Sequence, residues 1–239
     1  MLEILNKLRK SGFYVNFNQR NRDGWVNQIA SQVPENSEVL DVGAGTCRYK
    51  DLFRHCRYYT QDFCQAEGGT DGSFKYGKID YISDITEIPV PDKSFDVILC
   101  TEVLEHVPEP IKAIKEFSRI LKKGGRLYLT APLGCGLHIM PYHYYGGFTP
   151  SFYKKYFEEF GFALISIEPN GGLLKHFLQQ SNRVGGHVLG YKKYSRFSIK
   201  RMIVSFIFLK FIPVYLYDLD DKLFIEDFTV GYHVIGEKK

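Results

Sequence analysis

The sequence lacks the marks of a secreted or disulfide-stabilised protein. Its five cysteines are odd in number, and no two of them form a Cys-x-x-Cys pair. Such cysteines are typical of reduced thiols in the cytoplasm rather than of a disulfide framework or a zinc cluster. The first 20 residues contain no apolar run of the kind that signal peptides carry. We therefore expect a cytoplasmic protein.

A strong excess of one charge is also missing. The formal net charge is +4 over 239 residues, whereas proteins that bind nucleic acids usually concentrate much more basic charge on one face. We expect no nucleic-acid partner. The His, Cys and Asp residues show no spacing typical of metal ligands, so we predict no metal site. Apolar residues make up 44% and charged residues 24% of the sequence, a composition that argues against disordered, collagen-like and coiled-coil chains. Repeats and low-complexity tracts are absent as well.

Aromatic side chains, in contrast, are abundant and make up 15% of the sequence. They predict either a thick core or an apolar pocket for a ring-bearing ligand. Strand patterns alternate with helical patterns along the chain, for example a strand at 38–42, a helix near 48–55, a strand at 95–100 and a helix near 110–121. This alternation predicts βαβ units and a mostly parallel sheet.

The chain divides into three parts by pattern. Residues 1–33 have helical spacing and form an N-terminal helical segment. Residues 34–168 and 229–239 carry the alternation of strands and helices and form the predicted core. The block 169–228 is far longer than a connection between neighbouring strands requires. We interpret it as an insertion between the last two strands.

Within the insertion, residues 192–217 begin with a basic cluster and continue with an apolar run. A membrane span needs about 20 apolar residues, and Lys210 and Pro213 interrupt this run, so we do not predict a span. Three interpretations stay open. The segment caps the substrate pocket or forms a homodimer face, it belongs to the core, or it contacts a membrane surface peripherally.

A glycine-rich turn follows the first predicted strand in residues 39–46 (VLDVGAGT). Glycines at such a turn let a nucleoside approach the backbone closely. Arg48 stands where the dinucleotide fingerprint requires a third small residue, so the pattern is not that of a dinucleotide site. Asp62 lies 21 residues after Asp41, at the end of the next predicted strand. A carboxylate there can hold both hydroxyls of a ribose.

Three motifs resemble those of class I S-adenosylmethionine (SAM) methyltransferases. Residues 39–46 resemble their first motif, residues 95–107 (FDVILCTEVLEHV) their fourth-strand motif, and residues 121–129 (LKKGGRLYL) the turn into their fifth strand. The likeness is closest to the small-molecule branch, which includes quinone, sugar and natural-product methyltransferases. It implies a Rossmann-like, seven-stranded, mostly parallel α/β sheet with helices on both faces and an antiparallel last strand.

The resemblance also implies SAM as the cofactor, with S-adenosylhomocysteine as the product. In the matching positions, Asp41, Gly43 and Gly45 would flank the methionine part of SAM. Asp62 would accept hydrogen bonds from the ribose hydroxyls, and Phe63 would lie beside the adenine.

Further contacts are implied at the two ends of the cofactor. Asp84 and Ile85 match the place where the adenine amino group is bound. Thr101 and Glu102 match the end of the fourth strand, under the sulfonium. The loop 64–78 departs from the family pattern, because it is longer and richer in glycine and polar residues than the helix usual there.

A hydroxyl acceptor can need a general base, and the candidates follow the fourth and fifth strands. His143 is the first candidate for a catalytic residue and His106 the second. The loop after the fifth strand supplies further candidates for contacts to the substrate, namely His138, Tyr142, Tyr144 and Tyr145.

These features predict methyl transfer from SAM to an oxygen or nitrogen of a small metabolite such as a sugar, a phenol, or a carboxylate of a natural product or peptide. Neither an Asn/Asp-Pro-Pro-Tyr/Phe motif nor a Pro-Cys nucleophile is present, which argues against methylation of adenine, glutamine amides and cytosine C5. Three alternatives stay open: a C-methyltransferase of a lipid quinone, a regulatory protein that binds SAM without transferring its methyl group, and a methyltransferase of tRNA or another nucleic acid, for which residues 192–201 are the only basic cluster.

Overall fold

The computed structural model describes residues 11–66, 75–190 and 199–239. The first ten residues of the predicted N-terminal segment, most of the loop 64–78 and the basic start of the segment 192–217 lie outside the described residues. Two compact units share the chain. One contains the described residues up to Asn21 together with Pro169–Val230, and the other contains Arg22–Glu168 together with Gly231–Lys239.

A seven-stranded sheet organises the second unit. Its strands are β1 (Glu38–Val42), β2 (Arg57–Asp62), β3 (Tyr81–Ile82), β4 (Phe95–Thr101), β5 (Leu121–Pro132), β6 (Phe162–Pro169) and β7 (Gly231–Lys238). Their order is β3-β2-β1-β4-β5-β7-β6. The pairs from β3 to β5 are parallel and β7 is antiparallel to β5. The predicted Rossmann-like sheet, with its antiparallel last strand, is therefore confirmed.

Helices connect and flank these strands. They are α1 (Ser11–Val15), α2 (Phe17–Ala30), α3 (Pro110–Ile120), α4 (Pro150–Glu159), α5 (Leu173–Gly190), α6 (Ile199–Phe206) and α7 (Ile212–Asp220). Single 3₁₀ turns occupy Lys50–Phe53 and Leu104–His106, and a π-helical segment at Ile207–Phe211 joins α6 to α7.

The central strand β4 is buried on both faces, as a parallel strand between two helical layers should be. Val97 and Leu99 pack into one core cluster, together with residues of α2. Ile98 and Cys100 point the other way, into a larger cluster with α3 and α4. This alternation places helices on both faces of the sheet and leaves the strand ends for the site.

The block between β6 and β7 is helical. The sequence interpretation that Lys210 and Pro213 interrupt its apolar run is wrong, because α6, the π-helical segment and α7 form one helical run over Ile199–Asp220. These 22 residues are long and apolar enough to cross a membrane by length and composition. Pro213 is accommodated directly after the π-helical segment, a place where altered backbone hydrogen bonding is common.

Asp220 fixes the end of this helical run to the start of α5. Its side chain is buried, and Oδ1 accepts hydrogen bonds from the backbone N–H groups of Leu174 and Lys175, both at 3.1 Å. Oδ2 accepts the N–H of Gly172 at 2.9 Å. The carboxylate thus satisfies N–H groups that the first turn of a helix leaves without intrahelical partners.

Replacing Asp220 by Ala is expected to lower the free energy of unfolding of this unit by at least about 2 kcal/mol, because buried N–H groups lose their acceptor. Urea denaturation followed by circular dichroism measures the change. Glu226→Ala, at an exposed position beyond the same helix, serves as the control. An equal effect of both substitutions would contradict this role of Asp220.

Candidate functional site

A cavity of about 580 Å³ lies at the carboxyl ends of β1, β2 and β4, where open α/β sheets bind their ligands. Ten of the predicted site residues line it: Gly43, Gly45, Asp62, Phe63, Asp84, Ile85, Glu102, His106, Tyr142 and Tyr144. Five others are not among its lining residues: Asp41, Thr101, His138, His143 and Tyr145.

The turn after β1 requires glycine. Gly43 has φ +66°, and a Cβ there would lie 2.4 Å from Cγ2 of Val103, a separation that non-bonded carbons do not adopt. Gly45 also has a positive φ, of 52°, and its N–H donates to Oδ2 of Asp62 at 3.0 Å. The chain can therefore turn tightly under the cavity and present backbone to a ligand.

Asp62 ends β2 and is buried, with 6% of its surface exposed. Besides the bond from Gly45, its Oδ1 accepts the N–H of Cys64 at 3.0 Å. Each carboxylate oxygen offers further lone pairs. The two backbone bonds hold the carboxylate in the wall of the cavity, in an orientation that can receive a pair of ligand hydroxyls.

Another part of the cavity wall is formed by apolar side chains and one further carboxylate. Asp84 accepts hydrogen bonds from the N–H and Oγ1 of Thr86 at 2.8 and 2.7 Å, and both bonds use Oδ1. Ile85 and Phe63 line the cavity nearby. This combination of apolar surface and a fixed acceptor suits a purine ring with an exocyclic amino group.

Sequence reasoning missed several residues in this part of the cavity wall. Gln61 is 1% exposed, and its Nε2 donates to the carbonyl of Ser83 at 2.7 Å. Its Oε1 is buried and has no hydrogen-bond donor among the described residues. A donor on a bound ligand would satisfy this atom, so the cavity fits a polar cofactor. Ile82 and Tyr76 also line the cavity. Ile82 could have been predicted, because it stands at the end of β3, where parallel strands bring residues to the site.

Glu102 stands just beyond β4 with φ +54°, an uncommon conformation for a residue with a side chain. Its Oε1 accepts a hydrogen bond from Oγ1 of Thr130 at 2.8 Å, and its Oε2 lies 3.3 Å from Nη1 of Arg22. The carboxylate is thus held by β5 and α2. Thr101, one residue earlier, does not line the cavity.

The loop after β5 is attached to the segment after β4 by backbone hydrogen bonds. The carbonyl of Glu105 accepts the N–H groups of Tyr144 and Tyr145, at 2.9 and 3.2 Å. The hydroxyl of Tyr145 donates to the carbonyl of Pro108 at 2.9 Å. These bonds account for Tyr145 lying outside the cavity lining while its neighbour Tyr144 faces the cavity.

His106 lies between this loop and the cavity. Its Nδ1 is 2.6 Å from the carbonyl oxygen of Tyr142, which makes Nδ1 the protonated nitrogen and leaves Nε2 as a proton acceptor. Burial lowers the pKa of His106 to about 4. The Tyr142 bond opposes this shift, and the nearby imidazoles of His138 and His143 add to it. The imidazole is therefore neutral at physiological pH.

Glu105 is buried next to His106, with its Oε1 3.8 Å from Nε2. Burial, followed by the negative charge of Glu102, raises the pKa of Glu105 well above its usual range. This direction favours the protonated carboxyl, which carries less negative charge than an ordinary glutamate.

The structure places His143 and His138 behind His106 rather than in the cavity lining. Ring centroids are 4.7 Å apart for His106 and His138, and 4.5 Å for His138 and His143. Nε2 of His143 is 3.4 Å from Sγ of Cys135. Of the three imidazoles, only His106 is among the described residues that line the cavity. His143, which the sequence indicated first as the general base, packs behind it.

Two groups of side chains in this cluster could hold a metal ion. One consists of Cys135, His138 and His143, and the other of Glu105, His106 and His138; in each, the ligand atoms lie within 4.8 Å of one another. Spacing along the sequence did not reveal these groups, because the loop after β5 folds back onto the segment after β4. The absence of a metal stays a prediction.

Asp41 lies below the site, inside the sheet. It is 3% exposed, and its Oδ2 accepts a hydrogen bond from the hydroxyl of Tyr58. Burial raises the pKa of Asp41 to about 7, although the Tyr58 bond lowers it. Asp41 is thus bonded to Tyr58 of the neighbouring strand β2. This bond supports the strand end from which the glycine turn begins.

Comparison with known proteins agrees with this geometry. Residues 40–129 match a family model described as a methyltransferase domain. The sarcosine/dimethylglycine N-methyltransferase of Halorhodospira halochloris is 23% identical over 68% of this chain and 67% of its own length. The 27-O-demethylrifamycin SV methyltransferase of Amycolatopsis mediterranei is 36% identical over 81 residues. That match covers 30% of this chain and 30% of the relative.

Solved structures show the same fold. A proposed sarcosine dimethylglycine methyltransferase from Galdieria sulphuraria has a TM-score of 0.55 at 17% identity, covering 92% of this chain and 86% of that one. The family match spans β1 to β5, the elements that carry the glycine turn and most of the cavity. Residues 40–129 thus match a methyltransferase domain, the chain has the fold of class I methyltransferases, and S-adenosylmethionine is the cofactor of such domains.

Proposed function

We propose that the chain methylates a hydroxyl oxygen on a ring-bearing small molecule. The observation that carries this proposal is the neutral imidazole of His106 in the cavity wall, with Nδ1 held by the Tyr142 carbonyl at 2.6 Å and Nε2 left as the acceptor. Aromatic and aliphatic side chains surround it in the lining, among them Tyr144, Val107 and Ile139. An apolar wall beside one proton acceptor suits a phenol or the ring hydroxyl of a glycoside.

SAM supplies a methyl group already activated on a sulfonium. The task of the chain is to orient the acceptor in line with that methyl group and to exclude water. His106 would accept the hydroxyl hydrogen at Nε2 and would take the proton as the methyl group moves from sulfur to oxygen, with S-adenosylhomocysteine as the leaving group. A weakly basic imidazole is sufficient, because a hydroxyl becomes strongly acidic once its oxygen is alkylated. Its neutrality also avoids repulsion with the positive sulfonium.

Charged acceptors fit this end of the cavity less well. Among the described residues that line it there is no Lys or Arg, so an acceptor carboxylate has no cationic partner. Glu102 is paired with Arg22 and accepts a hydrogen bond from Thr130, and the raised pKa of Glu105 favours its protonated form. An ammonium group near His106 would therefore have to compete with Arg22 for Glu102, which argues against amino acids such as sarcosine.

The test is a product assay with methyl-labelled SAM and a panel of phenols, glycosides and quinols, with sarcosine as the amine control. We expect label in methyl ethers of the phenols or glycosides, identified by the chemical shift of the methyl carbon. Transfer to sarcosine alone, or to a quinol carbon, would replace the proposal with N- or C-methylation. Tight binding of S-adenosylhomocysteine without transfer to any acceptor would favour a regulatory protein.

The same assay checks the predicted absence of a metal. Incubation with EDTA followed by gel filtration is expected to leave the transfer rate unchanged, because the proposed chemistry uses only an imidazole and an activated methyl group. Loss of activity that Zn²⁺ restores would show that the Cys135, His138 and His143 cluster, or its neighbour with His106, binds a required ion.

A further inference from the structure

An apolar stripe follows the helical run Ile199–Asp220 on its exposed side. Five residues at successive intervals of four form it, so that each side chain lies next to the following one along the helix surface: Ile199, Ile203, Ile207, Phe211 and Tyr215. Their exposed fractions range from 38% at Ile207 to 68% at Ile199. Met202 and Phe206 lie beside the stripe and are each 51% exposed. Isolated apolar residues on a surface are ordinary, but a continuous stripe of this length indicates an interaction site.

The opposite side of the helical run is packed within its own unit. Ser205 and Val214 are buried there, and Oγ of Ser181 in α5 donates to the carbonyl of Phe208 at 2.8 Å. A Cβ at Gly185 of α5 would lie 2.5 Å from Cγ of Leu209, so the two helices approach closely at that point. The run is therefore fixed to α5 by one face, and the stripe is the face left outside.

Charge in this part of the chain has one sign. Between Glu168 and Asp218 the sequence contains no Asp or Glu, whereas it contains eight Lys and Arg residues. Lys200 is exposed at the start of the helical run, and Lys210 lies halfway along it. A partner that covers the stripe must accept apolar and aromatic side chains together with the positive charges of Lys200 and Lys210.

We propose that this stripe docks in the plane of an anionic lipid bilayer, with its apolar side chains at the acyl boundary and its lysines among the headgroups. Apolar and aromatic side chains combined with basic residues form the pattern of interfacial helices, and anionic headgroups supply the complementary charge. The helix lies in the plane rather than across the membrane, because its inner face packs on α5 and its end is held by the buried Asp220 network. This docking does not depend on which acceptor is methylated.

Vesicle co-sedimentation of the full chain tests the proposal. We expect binding to vesicles of phosphatidylglycerol mixed with phosphatidylcholine, weaker binding to phosphatidylcholine alone, and weakening by salt as the Debye length shrinks. Ile203→Glu is expected to lower partitioning by at least about tenfold, because a carboxylate replaces an apolar contact. Lys200→Gln is expected to lower binding to the anionic vesicles about fivefold, the effect of one surface charge.

A matched control is Ile165→Glu in β6, where the same charge replaces an isoleucine that is 50% exposed in the other unit. It should bind vesicles like the parent, and unchanged circular dichroism should show that all variants fold. Equal binding of parent and Ile203→Glu would overturn the proposal. Retention of the parent on vesicles after alkaline washing would overturn it in favour of a spanning helix. Self-association abolished by Ile203→Glu, without vesicle binding, would assign the stripe to a second copy of the chain.

Discussion

His106→Gln is expected to lower the rate of methyl transfer by at least about 10²-fold, the lower end of what a general base contributes. Glutamine cannot take the proton that leaves the acceptor hydroxyl, although it can still form hydrogen bonds in the same wall. Affinity for S-adenosylhomocysteine should stay close to that of the parent, because the proposed contacts to the cofactor come from other residues. Single-turnover transfer rates and calorimetry measure the two quantities separately.

His143→Gln is the matched control, since this imidazole packs against the same cluster without lining the cavity. It should retain most of the rate. The reverse outcome, a large loss with His143→Gln and little with His106→Gln, would return the role of base to the residue that the sequence indicated first.

The pH profile provides a second readout. Burial holds the pKa of His106 at about 4, below the value of about 6.5 for an ordinary imidazole. The proton-accepting form therefore predominates above about pH 5, and the rate should not fall between pH 7 and pH 5 through this group. The groups that face it are the imidazoles of His138 and His143 and the carboxyl of Glu105. A rate that halves near pH 6.5 would show that a less buried imidazole is the base.

Asp62→Ala is expected to weaken the binding of S-adenosylhomocysteine by about 1.5–3 kcal/mol, the scale of hydrogen bonds to a charged group. That change corresponds to a rise in the dissociation constant of about 10- to 140-fold. The reason is the position of the carboxylate at the end of β2, in the cavity wall and oriented by Gly45 and Cys64. Isothermal titration calorimetry measures the change.

Because Asp62 also holds backbone, its substitution needs a control that removes similar bonds elsewhere. Asp80 accepts hydrogen bonds from the N–H and Oγ1 of Thr60 at 3.1 and 3.0 Å but does not line the cavity. Asp80→Ala should leave affinity for S-adenosylhomocysteine nearly unchanged. Similar losses in both variants would attribute the effect to the loops rather than to contact with the ribose.

The sheet and the cofactor end of the site could be predicted because they depend on short-range patterns. A buried parallel strand such as β4 requires a nearly continuous apolar run, and the turn after β1 requires glycine at position 43 for its positive φ. Parallel strands end at one edge of the sheet, so the positions of Asp62 and Asp84 after their strands predicted that both lie near that turn. The predicted helix at 48–55 was wrong: only a 3₁₀ turn, Lys50–Phe53, forms there, after Cys47 takes a positive φ of 58°.

The acceptor end could not be predicted in the same way, because it depends on how one loop folds back. Sequence position favoured His143, which stands in a run of aromatic residues after the fifth strand. Its location behind His106 results from the backbone bonds between Glu105 and the loop, which no local pattern reveals. The helical run Ile199–Asp220 was missed for a related reason, since proline and lysine were treated as interruptions although a π-helical segment accommodates them.

The two backbone bonds from Tyr144 and Tyr145 to the carbonyl of Glu105 have a consequence for how new specificities can arise. They join main chain to main chain, so the side chains at Ile139, Tyr142 and Tyr144 can be exchanged without detaching the loop from His106. We therefore expect acceptor choice to be separable from the proton transfer proposed for His106. Evolution or directed mutagenesis could then explore new acceptors at these three positions while the proposed role of His106 is kept.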